Sequence, residues 1–145
     1  MYNGLLHAHS GLRWVVLILL LAAIFNAFSK KKSGHWTSSD KKIALFSLIF
    51  THIQLVIGLV LYFQSPKVSF GSGVMENAIA RFYTVEHISL MLVAIALITV
   101  GYSKSKRAST DRKKFGAIAT FYLIGLILIL ASIPWPFRIE GAGWF

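Results

Sequence analysis

Hydrophobic residues are concentrated in four long runs, and most polar residues lie between them. The runs cover roughly residues 8–28, 43–63, 82–103 and 115–133. Each is close to the ~20 residues that a helix needs to cross about 30 Å of hydrocarbon. The pattern therefore predicts one all-α membrane domain, residues 1–145. Short connections make the first and second helices antiparallel neighbours, and likewise the third and fourth, which favours an up-and-down four-helix bundle.

The composition agrees with a chain whose main partner is the lipid bilayer. Hydrophobic residues make up 56% and charged residues only 14%, compared with about 25% charged residues in soluble domains. Because the chain has no cysteine, disulfides, iron–sulfur clusters and thiol catalysis are excluded. No nucleophile triad or glycine-rich phosphate loop is present, so hydrolysis and nucleotide chemistry are not expected.

The net charge of +10 is distributed in a way that predicts topology. Eleven of the fifteen Lys and Arg residues lie in the two connections 29–42 and 104–114. The positive-inside rule places both connections in the cytoplasm and both chain termini outside. Since membrane topology explains the basic residues, we expect no nucleic-acid partner.

Ionisable and polar side chains interrupt three of the four apolar runs. A charge at the bilayer centre costs roughly 2.5 to 3.5 kcal/mol, so such residues usually face a bundle interior and mark a site. The interrupting residues are His9, Arg13, His52, Gln54, Glu86 and His87. We expect these residues to meet and to hold a ligand.

Two of the histidines have the placement that a haem requires. His9 and His87 both lie in the outer half of their helices, and the first and third helices of an up-and-down bundle face each other diagonally. A six-coordinate haem needs one imidazole on each face of the macrocycle. His9 and His87 are therefore the preferred ligands, and His52, which lies deeper on a neighbouring helix, is a third candidate. The alternative for His87 is a packed histidine bonded to Glu86 or to a backbone carbonyl. The alternative for His9 is an interfacial side chain at a helix start, and His52 needs a partner near the bilayer midplane.

Three further residues belong to the predicted site. Arg13 is expected to bind anionic groups such as haem propionates or the Glu86 carboxylate, unless it reaches to the outer interface. Gln54 and Gly58 lie on a small, polar stripe of the second run. Such a stripe is typical of a helix-packing seam, and Gly58 would also let a flat ring approach the backbone.

At these residues the chain resembles the small bacterial membrane proteins of Bacteroidetes type that are commonly labelled cytochrome B. The matching segments are Leu-Leu-His7-Ala-His9-Ser-Gly-Leu-Arg13-Trp14, Thr51-His52-Ile-Gln54 with Gly58, Thr84-Val-Glu86-His87 and Ser132-Ile-Pro134-Trp135-Pro136. The resemblance implies a multi-pass protein of the bacterial inner membrane. It also implies haem b bound through transmembrane histidines, for electron transfer with a quinol or a redox partner protein.

Two alternatives to an electron-transfer protein stay open. The His and Gln-x-x-x-Gly pattern is more distantly similar to one half of haem A synthase. That similarity implies a membrane enzyme or assembly factor of haem metabolism, like haem A synthase or the membrane protoporphyrinogen oxidase. The third class is a metal-ion transporter or accessory subunit in which His9, His52 and His87 coordinate the ion.

The charge distribution generates the first testable prediction. With Ser72→Cys and Ser109→Cys as single substitutions in this cysteine-free chain, an impermeant thiol reagent applied to intact cells should label only the first variant. Residue 109 should react only after the membrane is opened. Labelling of Ser109→Cys but not Ser72→Cys in intact cells would invert the topology.

Overall fold

The computed structural model describes all residues, 1–145, and contains four long helices and no strand. They are α1, Tyr2–Lys30; α2, Ser38–Gln64; α3, Ala78–Arg107; and α4, Asp111–Ser132. One π-helical turn, Phe82–Glu86, interrupts α3 near its start. The predicted all-α, up-and-down four-helix bundle is confirmed.

Each helix begins before the apolar run that predicted it. α1 starts at Tyr2 instead of residue 8, and α2 starts at Ser38 instead of residue 43. The apolar runs mark the part of a helix suited to hydrocarbon, whereas the hydrogen-bond ladder continues through polar flanking residues. Side chains cap the starts of α3 and α4, whereas α1 has no side-chain cap. At the start of α4, for example, the Thr110 hydroxyl accepts a hydrogen bond from the Lys113 N–H at 3.2 Å.

A buried carboxylate organises the connection between α1 and α2. Asp40 is almost inaccessible to solvent and accepts hydrogen bonds from Asn26 Nδ2 at 2.8 Å and Lys30 Nζ at 2.9 Å. The Thr37 backbone N–H donates to the same carboxylate at 2.8 Å. One side chain therefore joins the end of α1 to the start of α2 at the basic end of the bundle.

The outer surface of the bundle is apolar along the middle of the helices. Phe25 is 72% exposed and Val56 is 60% exposed, although both lie within long helices. Helices that are apolar on their outward as well as their inward faces are typical of membrane spans. All four are long and apolar enough to cross a bilayer. The chain is therefore a multi-pass membrane protein.

α2 contributes least to the core. The cluster of buried apolar residues is built from α1, α3 and α4, and Ala44 is its only member from α2. α4 packs closely against α3 and α1, α2 packs against α1, and α1 and α3 make little backbone contact. The diagonal relation of α1 and α3 that the sequence predicts is therefore present.

Two glycines bring α3 and α4 into close contact. A Cβ atom at Gly101 would overlap the Cβ of Phe121, and a Cβ at Gly125 would lie 2.7 Å from Ile98 Cγ1. Small residues at a helix interface allow this close backbone approach, which is a main source of packing energy in membranes.

The close approach of α3 and α4 predicts that an alanine substitution has opposite effects at Gly101, which lies in this contact, and at Gly11, which lies outside it. Gly101→Ala should destabilise the protein by roughly 1–3 kcal/mol, because the Phe121 Cβ can move only with its backbone. Gly11→Ala should be neutral or stabilising, because nothing lies within 4 Å of its Cβ position and alanine favours helix. Thermal unfolding in detergent measures both, and equal melting temperatures would contradict the packing.

Candidate functional site

All four helices line one cavity of about 210 Å³ at the end of the bundle that carries both chain termini. Five of the seven predicted site residues line it: His9, Arg13, Gln54, Gly58 and His87. The structure thus brings together residues from α1, α2 and α3 that are far apart in sequence.

The other two predicted site residues lie elsewhere. His52 faces an outer groove of aliphatic side chains on α2, with Nδ1 2.8 Å from the Leu48 carbonyl oxygen. Glu86 accepts a hydrogen bond from Arg81 Nε at 2.7 Å, so the predicted pairing of Glu86 with Arg13 is wrong. The π turn explains why Glu86 pairs with Arg81, because its wider turn brings residues five positions apart onto the same side of the helix.

The π turn also sets the position of His87. The His87 N–H donates to the Phe82 carbonyl, five residues earlier, and a normal α-helix resumes from His87 onward. The extra residue in the turn changes the direction in which the following side chains point. π turns within α-helices occur frequently at functional sites.

The imidazole of His87 has a defined tautomer. Its Nδ1 lies 2.7 Å from the carbonyl oxygen of Ser132. Because a carbonyl can only accept, Nδ1 carries the proton and Nε2 keeps its lone pair. The Ser132 carbonyl is free for this contact because its helical partner would be the nitrogen of Pro136, which has no hydrogen. Pro136 is the sequence signal that could have identified the contact between His87 and the Ser132 carbonyl.

His9 packs directly against the backbone of α2. A Cβ atom at Gly58 would lie 3.0 Å from His9 Cε1, so glycine makes the space that the imidazole occupies. On the same helix, Gln54 Nε2 donates to the His9 carbonyl at 2.7 Å. The polar stripe predicted on α2 is therefore the surface that receives His9.

The two imidazoles meet across the diagonal of the bundle. The ring centroids of His9 and His87 are 6.5 Å apart, and the ring planes make an angle of 79°. Phe82 packs on His87 with its centroid at 5.8 Å. The structure contains no group of three or more His, Asp or Glu side chains that could hold a metal ion, so the cavity offers a pair of nitrogen ligands.

Arg13 connects the cavity to the C-terminal segment, residues 133–145. Its guanidinium donates to the Trp144 carbonyl and lies 5.3 Å from the centroid of the Trp14 ring and 5.7 Å from that of Trp135. The last residues of the segment fold over the cavity and line it. Sequence reasoning did not place this segment at the site, although its tryptophans were a signal, since they match the arginine by cation–π attraction.

Buried polar atoms without a partner are concentrated in this cavity. Four buried side-chain atoms lack a hydrogen-bond partner, and three of them, His9 Nδ1, Arg13 Nε and Gln54 Oε1, belong to residues that line the cavity. Buried polar groups are normally satisfied, and each exception needs an explanation such as a ligand or water. A polar ligand in the cavity would supply the missing partners.

Comparisons of the chain with protein-family models, curated proteins and solved structures found no match. The chemistry of the cavity must therefore be inferred from its own residues. The lining combines two imidazoles, an arginine, a lysine and an amide with aliphatic side chains.

The contacts of Arg13 predict that it holds the C-terminal segment in place. In Arg13→Gln the Trp144 carbonyl loses its charged donor, so trypsin should cleave the detergent-solubilised protein after Arg138 several-fold faster. Arg112→Gln, an exposed arginine at the opposite end, is the control and should leave this rate unchanged. Equal cleavage rates in Arg13→Gln and the parent protein would show that the segment is held without Arg13.

Proposed function

We propose that the protein is a b-type cytochrome of the bacterial inner membrane that binds haem b between His9 and His87. Its function is electron transfer with a quinol or a redox partner protein. The observation that supports this best is the pair of imidazoles on diagonal helices, whose ring centroids are 6.5 Å apart in one cavity.

The residues fit the ligand requirements of a haem iron. The macrocycle supplies four nitrogens, so the protein needs to supply only two. Two imidazoles on one metal, with bonds of about 2 Å each, place their ring centroids roughly 6 to 6.5 Å apart. The proton on His87 Nδ1 is directed to a backbone carbonyl, as is usual for a metal-binding histidine. That arrangement leaves Nε2 for the iron.

The rest of the cavity suits a flat, partly anionic molecule. Gly58 leaves the space in which the His9 imidazole lies, and Arg13 provides a cation for an acidic group. The volume of about 210 Å³ is below the ~300–1,000 Å³ of most ligand sites. A macrocycle would therefore fit only after the lining residues move apart.

Haem supplies one-electron chemistry when bound, and the residues of this chain determine how it is held. His9 and His87 would hold the iron through their imidazoles, and the aliphatic residues of the lining would surround the ring. With both termini outside, the cavity lies in the outer half of the bundle, within reach of a lipid-soluble quinol or a partner on that side.

The spectrum of the purified protein tests the proposal. Protein from haem-replete cells should show a Soret band, and sharp α and β bands after reduction. His87→Ala should remove most of this signal, and His9→Ala should remove it or leave five-coordinate iron. His52→Ala is the matched control, since His52 lies outside the cavity, and its spectrum should be unchanged.

Two outcomes would contradict the proposal at different levels. A colourless preparation that also fails to bind added haemin would exclude the haem site. Loss of the spectrum in His52→Ala, together with a normal spectrum in His9→Ala, would place the ligands on α2 and α3 instead of on the diagonal pair.

A further inference from the structure

The cavity is lined by two cationic side chains and by no Asp or Glu side chain. The cations are Arg13 on α1 and Lys67 in the connection after α2. Lys67 is half-buried and belongs to none of the ion pairs in the structure. Its ammonium group lies 4.9 Å from the ring centroid of Tyr83, so the aromatic ring is its principal charge partner.

Lys67 is held at the cavity by a built connection. Its own N–H donates to Ser65 Oγ at 3.2 Å, and the N–H of Ser69 donates to Thr84 Oγ1 at 2.9 Å. The Tyr62 hydroxyl donates to the Thr84 carbonyl at 2.8 Å. These bonds join the connection to the π turn that carries Tyr83 and leads into His87, so the lysine and the imidazole are positioned by one segment.

Two cations in a cavity lining that holds no Asp or Glu side chain predict the charge of the occupant. A half-buried ammonium group loses hydration, and an aromatic face compensates only in part, by about 0.5–1 kcal/mol at exposed sites and about 2 when desolvated. A carboxylate would compensate more fully by a charge-assisted hydrogen bond. No side-chain carboxylate of the cavity lining fills that role.

We infer that Lys67, together with Arg13, binds the acidic groups of the ligand, which is an apolar ring that carries carboxylates. The identity of the ring rests on the proposed function, where the carboxylates are the two propionates. Lys67 lies at the end of the bundle that carries the termini, so the acids face the outer side of the membrane. Lys67 then determines specificity for a free acid over its ester.

Metal-free porphyrins test this without depending on iron ligation. Protoporphyrin IX and its dimethyl ester are titrated into the detergent-purified full chain, and binding is followed by porphyrin fluorescence. The parent protein should bind the diacid more tightly than the diester. Lys67→Gln should weaken diacid binding roughly three- to tenfold and leave diester binding unchanged. Lys67→Arg should keep most of the diacid affinity.

The control for non-specific charge is Lys113→Gln, an exposed lysine at the opposite end, which should bind both porphyrins like the parent. Equal affinity of the parent for diacid and diester, or no binding of either, would overturn the inference. So would an equal effect of Lys67→Gln on both porphyrins.

A parallel titration with ferric protoporphyrin separates this inference from the proposed function. Lys67-dependent binding of the metal-free diacid without any six-coordinate iron spectrum would support acid recognition and contradict ligation by His9 and His87. A six-coordinate spectrum that forms equally well with the ferric dimethyl ester would support ligation and contradict acid recognition.

Discussion

The structure depends on the high cost of leaving a polar group unpaired inside hydrocarbon. Helices satisfy their own backbone groups, and three hydroxyls inside this bundle donate to carbonyl oxygens. They belong to Thr51, Thr99 and Tyr122, the last of them joining α4 to the Ala44 carbonyl of α2. Of the four buried side-chain atoms without a partner, one is the Ser105 hydroxyl and the other three belong to residues of one cavity, His9, Arg13 and Gln54. The same constraint that stabilises the bundle therefore identifies the candidate site.

The position and the tautomer of His87 depend on local sequence features in two helices, α3 and α4. Pro136 cannot donate to the Ser132 carbonyl, so that carbonyl accepts a hydrogen bond from His87 Nδ1. The π turn before His87 changes the direction in which the following side chains point. Phe82, within this turn, packs on the imidazole. Together these contacts present Nε2 as a free lone pair. Two irregular backbone features, a helix end and a widened turn, fix the position and the tautomer of this imidazole.

Much of the fold and part of the site could be predicted from the sequence. The length of the apolar runs predicted four helices. The similar depth of His9 and His87 in the membrane predicted that they lie opposite each other, because residues at the same depth in a helical bundle lie close together. The partner of Glu86 could not be predicted, since counting by the α-helical period fails across a π turn. His52 was placed by depth alone, which does not specify the face of a helix. The contact of Arg13 with residue 144 is set by tertiary folding, which local patterns do not encode.

The central claim is that His9 and His87 together bind one iron. Electron paramagnetic resonance of the oxidised, haem-loaded protein at low temperature tests it most directly, because it reports both axial ligands at once. The near-perpendicular imidazole planes, 79° apart, predict a low-spin ferric signal of large anisotropy, which should be lost in His87→Ala. A parent protein with only a high-spin signal, or a low-spin signal that persists in both His9→Ala and His87→Ala, would contradict ligation by this pair.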